Sequence, residues 1–307
     1  MNFSLILLTY KPSFENIKRT LDSFLSQDFN DFEIIISDDG SDVFPINEVN
    51  SYFEEHHFTN YQLILNKNNQ GTVKNCLSGL SAAKSNYVKL IGAGDLLYNK
   101  NSLNLMYNHL NNTGSEIAFG LMKSFYVDEN DEYVFVKELF APRFLIPYTS
   151  ENYKEIRTQI LFCRDYISGA SMFGQKEVFI DYLNQLKDKV IYVEDLLQVL
   201  VVLNNKPLVF LNEPLVYYEV NSGISTSGEQ AANNRMQKDI DAFWQYVKSV
   251  TNDRKVIRYI NNYEILKRIN SRLIRNVFRL FFMPIVFWKK KKARCLLECK
   301  ENGFLES

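Results

Sequence analysis

An α/β fold built on a parallel sheet is predicted for the first hundred residues, and two patterns carry that prediction. Four short apolar runs have the length of strands buried on both faces: residues 3–8, 32–36, 61–65 and 87–91. Between them, residues 14–26 and 72–84 place apolar side chains at helical spacing. Strands that alternate with helices in this way indicate parallel pairing through right-handed crossovers.

After Asp95 the pattern is less regular, but further elements are expected. They are helices at 102–110, 150–161, 176–186 and 193–203, strands at 116–119, 207–211 and 215–220, and a hairpin of 123–127 with 133–136. Residues 228–240 are polar and are expected to be mobile, and from there the chain is predicted to be almost entirely helical.

The bulk composition is that of a globular protein. The chain has 307 residues, of which 46% are hydrophobic and 23% charged, so wholesale disorder is excluded. Its four Cys show no framework of spacings, and Met1 leads directly into a strand-like run rather than into a cleavable leader. A reducing, cytoplasmic setting is therefore expected.

The net charge of −1 conceals a strong asymmetry. Residues 254–294 contain thirteen Lys or Arg and one acid, Glu264, so this segment carries +12 and the remainder −13. Such a division is typical of a basic surface that meets an anionic partner. The acidic remainder of the chain argues against nucleic acid as that partner.

The basic segment also carries an apolar stripe at helical spacing, from Val256 to Leu280, and an apolar run at 280–288. That run is about half of the ~20 residues needed to span a bilayer. The pattern favours an amphipathic helix that lies in the interface of an anionic membrane. The other interpretation is a helix packed on the α/β part of the chain, with a solvated basic face.

Polar residues follow three of the predicted strands at the point where each strand ends. They are Thr9-Tyr10-Lys11, the run Ser37-Asp38-Asp39-Gly40-Ser41-Asp42, and Gly92-Ala93-Gly94-Asp95. In an open parallel sheet, ligands bind outside these carboxyl ends. An Asp-Asp-Gly-Ser sequence alone is typical of a tight turn. Its position beside two other polar turns favours a ligand site.

Several motifs in a fixed order resemble those of the family 2 glycosyltransferases of the GT-A fold. They are Thr9-Tyr10 and residues 21–29, 32–42, 69–75, 169–173 and 193–196. The resemblance covers residues 3–226 and is specific as an ordered set. It implies a GT-A domain with a mixed α/β sheet at 1–226, divided into a nucleotide-binding part at 1–98 and an acceptor-side part at 99–226. A helical, basic C-terminal extension follows at 227–307.

The resemblance implies that the sheet edge binds a nucleotide-sugar donor. The Thr9-Tyr10-Lys11 turn is assigned to the nucleotide, with the Tyr10 ring and the Thr9 backbone as a wall for a uracil ring. Asp39, with Asp38 beside it, would accept the imide N–H of that ring. Lys74 occupies the family's basic position and would meet the diphosphate.

For inverting sugar transfer, the resemblance places the general base at Asp195, with Glu194 beside it. The base takes the proton of the acceptor hydroxyl as that oxygen attacks the anomeric carbon. Two adjacent carboxylates raise the pKa of at least one of them toward a useful range. The other interpretation is that Glu194 and Asp195 mark a solvated helix start, where acids are common.

The metal end departs from the family's pattern. The family carries Asp-x-Asp and a further Asp after the fourth strand, whereas this chain has Gly92 and Gly94 there and keeps Asp95. A divalent cation, Mn²⁺ or Mg²⁺, is expected to be held by Asp95, donor phosphates and water. Gly94 is assigned to the nucleotide, because glycine lets the backbone approach a ligand closely.

A second departure lies at 217–226, where the family often has Arg and His in a loop that closes over the diphosphate. This chain has Glu219 and Asn221 instead. The sequence is compatible both with a lid that hinges at Gly223 and with an ordinary polar connection.

Together, the resemblance and the basic segment imply transfer of a sugar, from a UDP-sugar in particular, to a lipid-linked glycan acceptor. The context would be synthesis of a surface polysaccharide such as a capsule. The enzyme is expected to be cytoplasmic and peripheral at the inner face of the cell membrane, bound there through residues 254–294. The alternative is a non-catalytic family member that serves as a membrane-bound assembly partner, which Gly92 and Gly94 would support.

Overall fold

Parallel strands form the N-terminal part of the computed structural model, which describes residues 1–130, 132–140, 142–220 and 230–289. The first four strands are β1 (Phe3–Thr9), β2 (Phe32–Asp38), β3 (Tyr61–Leu65) and β4 (Tyr87–Gly92). They pair in parallel in the order β3-β2-β1-β4. All four predicted strands are thereby confirmed.

Three helices flank these strands: α1 (Phe14–Leu25), α2 (Ile46–Glu55) and α3 (Thr72–Ala82). The helices α1 and α3 confirm the two predicted ones. The helix α2 is not expected from the sequence, because it buries only Val49, Tyr52 and Phe53 among polar neighbours.

Successive residues of the inner strands enter different cores. Ile6 and Ile35 pack in the core that contains the buried residues of α3. Leu5 and Ile34 pack in a second core with the buried residues of α1 and α2. Burial on both faces explains why β1 and β2 are apolar almost without interruption.

Five further strands complete a nine-stranded mixed sheet within the described residues. They are β5 (Leu96–Leu97), β6 (Ile117–Val127), β7 (Tyr133–Phe140), β8 (Met172–Gln175) and β9 (Val209–Glu219). The strand β8 pairs antiparallel with β4 and with β6, β6 pairs parallel with β9, and β9 pairs antiparallel with β5. The predicted hairpin is confirmed as β6 with β7.

Two expected strands prove to be parts of longer ones. The strands expected at 207–211 and 215–220 are the single strand β9, whose pairing with β6 shifts register near Pro214. Proline has no N–H to donate to the ladder, which accounts for an irregularity at that point. The strand expected at 116–119 continues into the hairpin as β6.

The middle helices agree with expectation except at one place. The predicted ones are confirmed as α4 (Ser102–Thr113), α7 (Lys176–Leu186) and α8 (Leu197–Leu203), the last preceded by a 3-10 turn at Glu194–Leu196. The single helix expected at 150–161 is instead α5 (Ile146–Thr149), α6 (Tyr153–Thr158) and a π-helical turn at Gln159–Cys163.

The C-terminal part is helical, and it begins earlier than expected. Its helices are α9 (Gln230–Val250), α10 (Arg254–Lys267), α11 (Arg272–Phe282) and α12 (Pro284–Lys289). The prediction of a mobile segment at 228–240 is wrong from Gln230 onward. The segment is helical there because Ala232 and Asp239 are buried on the same helix as Phe243 and Trp244.

The helices α9 and α10 pack into the same core as α3, α7 and α8. The Arg164 guanidinium lies 4.9 Å from the ring centroid of Trp244 in α9 and 3.5 Å from that of Tyr263 in α10. Cation–π contacts of this kind add to the apolar burial of both helices. For this stretch of the basic segment, the second interpretation of the sequence, a helix packed on the α/β part, is therefore correct.

The helix α11 differs, since none of its residues is buried. Leu273 and Phe281 are 74% and 72% exposed. In the described part of the chain, no helix combines the length and the apolar character needed to cross a membrane.

Gly174→Ala is expected to destabilise the fold, because an added Cβ would lie 2.3 Å from the Glu116 carbonyl oxygen and 3.0 Å from Ile117 Cα. These are backbone atoms that cannot move without disturbing β6. We expect a loss of about 1–3 kcal/mol in the free energy of unfolding, measured by urea denaturation. Gly92→Ala is the matched control, because the nearest atom to its Cβ, Asp95 Oδ2, lies at an ordinary 3.6 Å. Equal stability of the two variants would contradict the packing described.

Candidate active site

The carboxyl ends of three parallel strands meet at one edge of the sheet. Thr9 at the end of β1 pairs with Asp38 at the end of β2, and Leu8 pairs with Gly92 at the end of β4. The backbone N–H of Ala93 donates to the Leu8 carbonyl at 3.1 Å. The predicted convergence of the three polar turns is thus confirmed.

Asp38 holds the first two turns together. It is buried, and its Oδ1 accepts the hydroxyls of Thr9 (2.8 Å) and Ser41 (2.7 Å). Its Oδ2 accepts the backbone N–H of Ser41 at 2.7 Å. These bonds hold Thr9 and the Asp-Asp-Gly-Ser turn in a fixed relation at the sheet edge.

Asp39 connects the same turn to the start of α3. Its two carboxylate oxygens each accept a backbone N–H, from Gln70 and Gly71, both at 2.8 Å. Burial raises the pKa of Asp39, and these two N–H groups act against that rise. Gly71 has φ +89, in the region that favours glycine, so the bend before α3 depends on this residue.

Three of the residues predicted to bind the nucleotide lie exposed at the rim. Tyr10 is 46% exposed, with the Lys11 ammonium 5.4 Å from its ring centroid. Lys11 pairs with Asp42 at 3.2 Å, and Lys74 pairs with Asp188 at 3.6 Å. Exposed ion pairs of this kind contribute little stability, so both ammonium groups can exchange their partners for a ligand anion.

Lys89 is a buried cation beneath this edge that the sequence reasoning missed. It lies within β4, has no exposed surface, and its Nζ donates to the carbonyls of Leu90 (2.6 Å) and Ala170 (2.5 Å). Burial lowers the pKa of Lys89 to about 7, against an attraction to Asp95. The signal available was a lysine inside a run that otherwise reads as a fully buried strand.

The loop after β4 is packed against the end of β9. Asp95 is buried, and its Oδ1 accepts the backbone N–H of Glu219 at 2.8 Å. The Glu219 carboxylate is also buried and accepts Arg19 Nη2 at 3.0 Å. An added Cβ on Gly94 would lie 2.0 Å from Glu219 Oε2, and Gly94 has φ +102. Burial raises the pKa of Asp95 to about 7.

Glu194 and Asp195 lie in the 3-10 turn before α8, opposite a short turn at Gly169–Ser171. An added Cβ on Gly169 would lie 3.1 Å from Glu194 Oε1 and 3.3 Å from Asp195 Cβ. Both side chains are partly exposed. Burial raises the pKa of each carboxyl above its ordinary value, and the Asp195 charge raises the pKa of Glu194 further.

The segment before this pair contacts the nucleotide end of the site. The backbone N–H of Val73 donates to the Ile191 carbonyl at 3.0 Å, and Ile191 lies directly against Gly71. Burial raises the pKa of the Cys76 thiol in α3, and the charges of Glu194 and Asp39 raise it further. The predicted base and the predicted nucleotide turn therefore both lie near the start of α3.

A family model, Glycosyl transferase family 2, matches residues 4–179, more than half of the chain. The chain belongs to this family. The resemblance seen in the sequence is thereby confirmed, and with it the assignment of the chain as a glycosyltransferase. No curated protein sequence matches the chain.

Solved structures with the same fold are GT-A glycosyltransferases. Residues 1–349 of Staphylococcus aureus TarS with UDP-GlcNAc are 19% identical, at a TM-score of 0.55, covering 94% of this chain and 73% of that one. The mannosyltransferase PcManGT from Pyrobaculum calidifontis, solved with GDP-Man and Mn²⁺, is 13% identical, at a TM-score of 0.60, covering 96% and 76%. The predicted GT-A fold is confirmed.

The residues of this family 2 glycosyltransferase do not fit a divalent cation at the predicted place. Among the described residues, no three His, Cys, Asp or Glu side chains are grouped so that they could hold a metal ion. Asp95 is buried and accepts a backbone N–H through one oxygen, and the Glu219 carboxylate that faces the same loop is paired with Arg19. Asp95 as a metal ligand remains a sequence-based prediction that this geometry does not support.

Asp239 in α9 accepts the backbone N–H groups of Ile191, Tyr192 and Val193, at distances from 2.6 to 3.3 Å. No sequence signal marked Asp239, because it lies in a stretch that reads as polar and irregular.

The predicted lid around Gly223, at 221–226, lies outside the described residues.

Proposed function

We propose that this glycosyltransferase moves a sugar from a UDP-sugar to an acceptor hydroxyl, with inversion at the anomeric carbon and Asp195 as the general base. The observation that carries the proposal is the position of Glu194 and Asp195. They follow the segment that contacts Gly71, and Asp39 binds Gly71 from the nucleotide side. The start of α3 therefore connects the proposed nucleotide turn with the proposed proton acceptor.

The nucleotide would lie along the carboxyl edge of β1, β2 and β4. TarS, which has the same fold, was solved with UDP-GlcNAc. Here each oxygen of Asp39 accepts one N–H, so each keeps a lone pair for the imide N–H of uracil. Asp38 has less capacity left, because one of its oxygens already accepts two hydroxyls. The exposed Tyr10 ring supplies a face on which the base can stack, and Thr9, Gly94 and Lys11 line the same edge.

The transfer step would be a single displacement. The acceptor oxygen attacks the anomeric carbon, its proton passes to the Asp195 carboxylate, and the bond from that carbon to the phosphate oxygen breaks. The electron pair of that bond leaves with the nucleoside diphosphate, which Lys74 and Lys11 can stabilise by charge. The raised pKa of Asp195 suits this role, because a stronger base takes the proton more readily.

Asp195→Asn is expected to lower kcat by about 10²–10⁴-fold, because it removes the proton acceptor and keeps the shape. In the wild type, kcat is expected to fall with decreasing pH through a value above the ordinary carboxyl range, since the pKa of Asp195 is raised. Both are measured by release of nucleoside diphosphate from a panel of nucleotide sugars with a lipid-linked acceptor.

Glu194→Gln is the matched control for that experiment. Burial and the neighbouring charge favour the protonated form of Glu194, which Gln resembles, so this variant is expected to keep most of its turnover. Full activity of Asp195→Asn would remove the assigned base. UDP binding without turnover of any donor in the wild type would favour a non-catalytic assembly partner instead.

For the acceptor, we propose a lipid-linked glycan presented at the inner face of the cell membrane, in synthesis of a surface polysaccharide. The support comes from α11, whose apolar residues are exposed along one face while Arg272, Arg275 and Arg279 lie on the other. No acid occurs from residue 265 to residue 289. A helix with this pattern fits the interface of an anionic membrane. The sequence continues into Lys289-Lys290-Lys291-Lys292.

Leu273→Glu combined with Phe281→Glu is expected to abolish co-sedimentation of the enzyme with vesicles that contain anionic lipid. The two side chains are 74% and 72% exposed, so their replacement is expected to leave the packing of the folded protein unchanged. Val43→Glu, at a position that is 81% exposed in the N-terminal part, is the control and is expected to bind as the wild type does. Unchanged binding of the double variant would contradict membrane docking through α11.

A further inference from the structure

The loop that follows β4 is built to exclude a carboxylate at position 94. Gly94 has φ +102, where side chains are strained, and an added Cβ would lie 2.0 Å from Glu219 Oε2. Glu219 cannot swing away easily, because it is buried and its other oxygen accepts Arg19 Nη2 at 3.0 Å. The Glu219 carboxylate thus occupies the space that an acidic side chain on this loop would need.

The buried charges around this loop already balance. Two acidic groups, Asp95 and Glu219, lie with two basic groups, Arg19 and Lys89. Arg19 stays protonated at any accessible pH. A divalent cation at this place would have to compete with Arg19 for the Glu219 carboxylate and with Lys89 for the charge of Asp95.

We propose that this enzyme binds its nucleoside diphosphate donor without a divalent cation, and that the Arg19–Glu219 ion pair takes the place of the metal-binding acids. The proposal rests on the function proposed above. The diphosphate charge would be met by Lys11 and Lys74. Their present partners, Asp42 and Asp188, are 85% and 65% exposed and are easily displaced.

The test is calorimetric titration of the full chain with UDP and with GDP, in Mn²⁺ and in EDTA. We expect one of the two nucleotides to bind with dissociation constants that agree within about threefold in the two buffers. Binding seen only with Mn²⁺ would overturn the proposal and leave the proposed function standing. If neither nucleotide binds in either buffer, the proposed donor is wrong, and the metal-independent mode of binding fails with it.

Removal of the Arg19 charge tests whether this cation keeps a metal ion out. Arg19→Gln removes the buried cation and leaves Asp95 and Glu219 as a pair of carboxylates, so it is expected to bind Mn²⁺ more tightly than the wild type, measured by electron paramagnetic resonance. Lys18→Gln is the control, since Lys18 is exposed and pairs with Asp22. Tight Mn²⁺ binding by the wild type and by both variants would contradict the proposal.

The segment that leads to the proposed base is bound by a buried carboxylate, that of Asp239 in α9. Asp239 is 7% exposed, and its carboxylate accepts three consecutive backbone N–H groups, those of Ile191, Tyr192 and Val193. Glu194 and Asp195 follow at once. A carboxylate that fixes three successive peptide groups removes their freedom, so the following turn starts from a defined direction. We infer that Asp239 is a positioning residue for the base, supplied by the C-terminal helices.

Asp239→Ala is expected to lower kcat at least about tenfold with little change in the affinity for UDP, because a base displaced by about 1 Å loses its alignment. Asp239→Asn keeps one carbonyl oxygen as an acceptor and is expected to recover part of the rate. Asp241→Ala, two residues further along α9 at an ion pair with Lys267, is the control. If Asp239→Ala lowers only the thermal stability and the folded enzyme keeps its kcat, the role is merely structural and the inference fails.

Discussion

The contact on which the site depends is the pair of hydrogen bonds from Asp39 to the backbone N–H groups of Gln70 and Gly71. Asp39 directly follows β2 in the nucleotide turn, and Gly71 directly precedes α3. Because Gly71 lies against Ile191, the same contact sets the distance between the nucleotide turn and the turn that carries Asp195. A buried carboxylate that accepts two successive backbone N–H groups fixes both of them, so the two turns keep a constant relation.

The connection continues into the C-terminal helices. Asp239 binds the segment 191–193 from the far side, and α9 and α10 share their core with α3. The C-terminal helices therefore do two different things. The first two complete the wall behind the proposed base, whereas α11 touches that core through Phe278 and leaves its other apolar side chains exposed. The basic segment at 254–294 contains α10, which is packed, and α11, which is largely exposed. This is why the sequence allowed two interpretations of the segment.

Sequence reasoning worked where one local pattern decides the structure. The strands β1 to β4 are continuous apolar runs, and their carboxyl ends had to meet once parallel pairing was inferred, so Thr9, Asp38 and Asp39 could be placed together. It failed where the partner is distant in the chain. Arg19 looks like an ordinary helix residue until Glu219, 200 positions away, is placed against it. Asp239 could not be recognised, because its partners are backbone N–H groups. Every residue except proline has such a group, so the sequence does not show which ones Asp239 binds.

The carboxylates of the site differ in burial and in the groups that bind their oxygens, and this difference distinguishes structural acids from the proposed base. Asp39 and Asp239 are held by backbone N–H groups, and Glu219 by a guanidinium. Glu194 and Asp195 are partly exposed, and their pKa values are raised by burial. A carboxylate whose oxygens are engaged by a cation or by several N–H groups is fixed in place, whereas one with exposed surface can meet a substrate. Glu219 and Asp239 therefore hold the scaffold in place, and the partly exposed pair at 194 and 195 stays accessible for the proposed role of base.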